Sequence, residues 1–134
     1  MKNSLVTLGL MAWTAAASAA EWVAVAKNDK GTVLIDKSSV RQSGSSEKTV
    51  WVLFNFNEPS FGEIGLGKHY RSYTSLRTIS CSEKTIMIKS TSFYSGTNGN
   101  GESVGSTHYA NAQPQYVVPE STGETTWNAV CDPK

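Results

Sequence analysis

The sequence is short of most features that announce a chemistry. Its 134 residues include two cysteines, two histidines and four prolines. Neither sign of charge dominates: 12 Lys and Arg face 11 Asp and Glu. A nucleic-acid binder needs a basic excess to neutralise phosphates, so the charge balance argues against that partner class. His69 and His108 stand far from each other and from Cys81 and Cys131, without the close ligand spacing of a zinc site. No carboxylate pair has a deliberate spacing and no nucleophile elbow occurs, so no catalytic residue, metal or cofactor is assigned. After the first twenty residues no apolar run is long enough to span a bilayer, and no transmembrane segment is expected. Long helical patterns are scarce as well.

The first twenty residues, "MKNSLVTLGLMAWTAAASAA", are read as a secretory signal peptide. Lys2 gives the positive start, Leu5 to Ala17 the short apolar middle, and Ala17, Ser18, Ala19 and Ala20 the small-residue cleavage zone. Cleavage after Ala19 or Ala20 fits; Ala20 is taken, leaving a domain over residues 21–134. No cysteine follows the cleavage point to carry a lipid. Without Lys2 the mature chain has 11 basic and 11 acidic side chains and is neutral. The expected address is outside the cytoplasm: periplasm, outer cell surface or medium. In such a compartment Cys81 and Cys131 are read as one disulfide, with zinc as the rival use. It would close a loop of about fifty residues and contribute roughly 4 kcal/mol in the chain-entropy model.

Ser, Thr, Val and aromatic residues fill the mature chain, which predicts a mostly β domain. "WVAVA" (Trp22 to Ala26) and "TVLID" (Thr32 to Asp36) form a hairpin around "KNDKG". Asp36 is positioned to cap the "KSSV" turn after it. In "TVWVLFNF" (Thr49 to Phe56), Val50, Val52, Phe54 and Phe56 share one face, and Trp51 and Leu53 the other. Apolar residues on both faces predict a strand covered on two sides. Asn57 to Gly67 reads as a loop, Lys68 to Cys81 as a long irregular strand, and Thr85 to Tyr94 as its partner. Ile86 and Ile88 lie on one face of that partner.

The stretch "YSGTNGNGESVGS" (Tyr94 to Ser106) resembles a phosphate cradle only in its glycine content. Val104 stands where a dinucleotide fingerprint needs glycine, and no Lys-Ser or Lys-Thr comes after Gly101. Ser103 to Tyr109 is strand-like, so no helix N-terminus faces the loop. Asn98-Gly99 and Asn100-Gly101 are instead expected to supply the positive φ angles of a tight reversal. The last element has a helical signature. Pro119 opens it, Ser121 and Glu124 make a capping box, and Trp127, Val130 and Cys131 recur on one face. So short a helix must dock on the sheet. It is expected to cover the face bearing Trp51 and Leu53.

Lys68, Arg71, Arg77, Lys84 and Lys89 fall on two consecutive strands, interleaved with Tyr70 and Tyr73. A basic, aromatic strip on a neutral protein suits an acidic partner or a glycan, and edge protection of the sheet is the plain alternative.

In order, "WVAV…VLID…SV", "VWVLFNF", "YRSYTS…ISC", "FYSGTNGNGESV" and "VVPESTGETTWNAVC" resemble the surface-adhesin protein E-like domain of Gram-negative bacteria. The resemblance implies a single antiparallel sheet of about six strands. It also implies a C-terminal helix held on the concave face of that sheet by the disulfide. It further implies an outer-surface role in adhesion to host extracellular-matrix or serum proteins, and a homodimer. The best-known member is lipid-anchored, and this chain lacks that cysteine. The alternative is a periplasmic or secreted module for a small ligand or an envelope partner.

Overall fold

The computed structural model describes residues 20–62 and 67–132. The expected leader therefore lies outside the described residues except for Ala20. Eight strands form one antiparallel sheet: β1 (Trp22–Lys27), β2 (Gly31–Asp36), β3 (Arg41–Gln42), β4 (Glu47–Ser60), β5 (Tyr70–Ser80), β6 (Thr85–Tyr94), β7 (Ser103–His108) and β8 (Gln115–Tyr116). Among the described residues one α-helix, α1 (Thr122–Cys131), follows the strands. The main path runs β1-β2-β4-β5-β6-β7, with β3 paired to β4 and β8 paired to β6. The sheet thus has eight strands where about six were expected. β3 and β8 are two residues long, too short for any period of side chains to reveal them.

Alternation in β4 decides the layers. Val50, Val52 and Phe54 are buried with Val33, Ile35, Ile79 and Val130 of α1, and Trp127 packs against the same cluster. The helix therefore covers the Val50 face, not the face of Trp51 and Leu53 as expected. Trp51 is left 39% exposed, yet Leu53 is buried. The glycine-rich loop covers it: at Gly99, Leu53 Cδ1 and Thr74 Cγ2 lie 3.7 and 3.6 Å from where a Cβ would stand.

Side chains of β4 and β5 hold that loop down. Asn55 accepts from the Asn98 amide at 2.7 Å and donates to the Asn98 side chain at 2.8 Å. The Ser72 hydroxyl donates to the Gly96 carbonyl at 2.6 Å and accepts from the Gly99 amide at 3.0 Å. Asn98, Gly99 and Gly101 adopt positive φ angles of 60, 69 and 82°. Asn100 is extended, with φ of −95°. The loop turns the chain and, in doing so, closes the second face of the core.

Strand ends differ from the sequence expectation in one place of consequence. β4 runs on through Pro59 to Ser60, because its pairing with β5 resumes at Ser60 and Tyr70 after a shift beyond Asn55. The irregularity expected in β5 lies opposite Lys89, between the Leu76–Ser90 and Arg77–Ile88 pairs. Asp36 caps the turn as expected, accepting from the Ser38 amide at 3.0 Å and the Glu21 amide at 2.9 Å. Cys81 and Cys131 are bonded to each other.

Candidate binding groove on the helix face

The segment between β7 and β8 builds a rim over the outer edge of β6. Its first end is fixed where the Tyr109 amide donates to the Lys89 carbonyl at 3.0 Å. Its far end is fixed by the β8 pairs Thr85–Tyr116 and Ile86–Gln115, and by the Val117 amide donating to the Lys84 carbonyl at 3.1 Å. The Ser121 hydroxyl, at the N-cap of α1, donates to the Val118 carbonyl at 2.6 Å. This strap bridges the stretch of β6 that neither β7 nor β8 pairs.

Between strap, sheet and helix lies a cavity of about 600 Å³. Ile86, Ile88 and Arg77 line it from the sheet, Tyr109, Tyr116, Val117 and Val118 from the strap, and Ser121 and Gly123 from the helix start. Volumes of about 300–1,000 Å³ with mostly apolar walls are typical of ligand sites. Four of the large apolar side chains left exposed in the described residues belong to this lining: Ile88, Tyr109, Tyr116 at 81% and Val118 at 66%. Folding does not bury them, so they are available to something else. A second cavity of about 280 Å³ continues past Arg77, Ile88 and Tyr109 over Phe54, Phe56, Tyr73 and Phe93.

Arg77 stands where the two cavities meet. Its Nε donates to the buried Ser75 hydroxyl at 2.9 Å, which fixes the guanidinium plane. Lys30 lines the second cavity, and among the described residues no carboxylate lines either one. Glu124, in the first turn of α1, is engaged by Lys84 at 3.2 Å. That hydrogen bond, with another from the Glu120 amide, holds the Glu124 carboxyl below its usual value.

The cations and tyrosines singled out in the sequence occupy separate settings. Lys68 faces Glu102 at 3.9 Å, and Arg71 donates to the Asn57 carbonyl at 3.2 Å. Lys84 sits 5.4 Å over the Trp127 ring as well as against Glu124. Lys89 is exposed. Tyr70 is buried among Phe56 and Phe93, and Tyr73 stacks on Phe54 with ring centres 5.6 Å apart. Arg77 alone of the set lines the larger cavity. His69 lies beside Phe61, and His108 pairs with Ser90. Among the described residues no three His, Cys, Asp or Glu side chains gather as metal ligands would, and no helix is long and apolar enough to cross a membrane.

The strap escaped the sequence reading. "YANAQPQYVVP" has no helical or alternating period, so its apolar residues resemble loop filler. The available signal was the concentration of Tyr109, Tyr116, Val117 and Val118 in a stretch otherwise of Asn, Gln, Ala and Pro.

The sequence profile of surface-adhesin protein E matches residues 22–132. The chain belongs to the surface-adhesin protein E family. Two crystal structures of protein E from Haemophilus influenzae share its fold. The one from a non-typeable strain superposes with a TM-score of 0.63 at 15% identity, over 82% of this chain and 74% of that one. Crystal form II gives the same TM-score and identity, over 82% of this chain and 86% of that one. Comparison with curated proteins gives no significant match.

Proposed function

We propose that the chain is an exported binding module of the cell envelope that engages its partner through the helix-face groove. Membership of a surface-adhesin family supports an adhesive role, with a host extracellular-matrix or serum protein as the partner class. The observation that carries the placement is the collection of Ile88, Tyr109, Tyr116 and Val118, all exposed, around one cavity. Exposed aromatic side chains at a concave surface are the usual anchors of protein recognition. Export is supported by the leader pattern and by a disulfide that persists only in an oxidising compartment.

The test is a screen of the purified, disulfide-bonded chain against immobilised matrix and serum proteins, and then variants. Tyr116→Ala with Val118→Ser is expected to weaken the captured partner at least about tenfold, as loss of a hot-spot pair does. Charge reversal at Lys68, Arg71 and Lys89 is expected to slow association and make it less salt-sensitive. If only the charge reversals weaken binding, the contact is the basic surface and the groove is not.

A second reading is favoured by one observation. The cavity has the volume of a small-molecule site and holds a cation, Arg77, among apolar walls. On this reading the module carries a small ligand in the periplasm or medium.

A further inference from the structure

The two joined cavities offer an unusual pairing of surfaces. Their walls are largely aliphatic and aromatic, from Ile86, Ile88 and Val118 at one end to Phe54, Phe56 and Phe93 at the other, with Asn111, Gln113 and Gln115 of the strap also in the lining. A guanidinium stands between them, its Nε committed to Ser75. Among the described residues Arg77 has no carboxylate partner, and no Asp or Glu lines either cavity. A half-buried cation without a counter-charge favours an anion, and the fork geometry of Arg favours one with two oxygens in a plane. The neighbouring walls favour an apolar body.

We propose that the groove binds a small apolar carboxylate, its head group on Arg77 and its chain along Ile86, Ile88 and Val118. This rests on the reading of the groove as a small-molecule site. The strap's tyrosines would flank the chain, and Lys30 in the smaller cavity adds a second positive charge on the head-group side. Among the described residues no acid competes for the guanidinium. A neutral amphiphile would fill the same walls and leave Arg77 as it is, so the head group supplies the discrimination.

Three single-chain probes separate the elements of this proposal: decanoate and decyltrimethylammonium below their micelle thresholds, and decanol below its solubility limit. The disulfide-bonded protein is titrated with each, by calorimetry and by amide chemical-shift mapping. Decanoate is expected to bind about tenfold tighter than decanol, the scale of one charge-assisted hydrogen-bond pair, and the ammonium probe weakest. The shifts are expected at Arg77, Ile88, Tyr109 and Tyr116. Arg77→Gln is expected to remove the preference for decanoate and leave decanol affinity unchanged, with an unaltered circular dichroism spectrum. Arg77→Lys is expected to restore part of it.

Equal affinity for decanoate and decanol overturns the head-group assignment while leaving the groove a ligand site. Absence of binding by all three probes overturns the small-molecule reading itself. Co-sedimentation with phosphatidylglycerol vesicles, without shifts from free decanoate, also overturns the proposal, because the anion would then belong to a bilayer surface.

Discussion

Trp127 donates its indole N–H to the backbone carbonyl of Ser80 at 2.9 Å, one residue before the cysteine that bonds the same helix. Lys84, in the turn after that cysteine, reaches back over the Trp127 ring and to Glu124. One short turn of sheet therefore holds α1 by a covalent bond, a hydrogen bond to a buried carbonyl, and a charge. Trp127→Ala is expected to destabilise the protein by about 3 kcal/mol or more, since it removes a packed aromatic and leaves the Ser80 carbonyl without its donor. Urea unfolding measures this. A loss below about 1 kcal/mol would show that the helix is held by the disulfide alone.

The glycine loop is expected to be as important to the core as the helix. At Gly101, with φ of +82°, a Cβ would meet the Ser95 hydroxyl oxygen. Gly101→Ala should cost about 1–2 kcal/mol for the left-handed backbone, before any clash is counted. The lifted loop would uncover Leu53. Faster amide exchange around Leu53 and Asn55 in the variant would check this, and unchanged exchange there would contradict it.

Asp36 offers a pH test. Burial raises the pKa of its carboxyl, but the Ser38 hydroxyl and the amides of Glu21 and Ser38 donate to it, and the net direction is downward. A folded value below the unfolded one stabilises the native state above the unfolded value of about 4, and that stability is lost as pH falls through the folded value. Asp36→Asn should lower the melting temperature at pH 7 and lower it less at pH 3. A deficit that stays constant with pH would mean that the charge is not the stabilising feature.

The hydroxyl of Tyr70 is buried and has no hydrogen-bond partner among the described residues. Tyr70→Phe is therefore expected to leave stability unchanged or raise it by up to about 1 kcal/mol, since an unmet polar group is removed and the ring remains. Thermal unfolding decides it. A marked loss would place a partner on that oxygen.

Legibility in the sequence divides by the range of the physics involved. The Thr85–Tyr94 strand, the Ser121 cap and the Asp36 turn are local, and each arises from patterns within a few residues. The capping box is a partial exception, because Glu124 reaches the Glu120 amide and not that of Ser121. The choice of face was not local. Both faces of Thr49 to Phe56 are apolar, so alternation could not say whether α1 or the glycine loop lies over Leu53. That decision rests on Asn55 and Ser72, whose side chains bond the loop across 43 and 24 residues of sequence. The groove was hidden for the same reason, since its strap is held by backbone bonds to Lys84 and Lys89 and not by its own pattern.

The central claim is that recognition occurs on the helix face, at the groove beside Tyr109, and not on the loop face beside Trp51. A photo-crosslinking residue placed at 109 or at 51, both exposed and on opposite sides of the sheet, tests this directly. The disulfide-bonded protein carrying each is irradiated with the partner captured in the screen. Adducts from position 109 with few or none from position 51 are the expected result. Adducts from position 51 alone would contradict the account, and would move the binding surface to the face that the glycine loop covers.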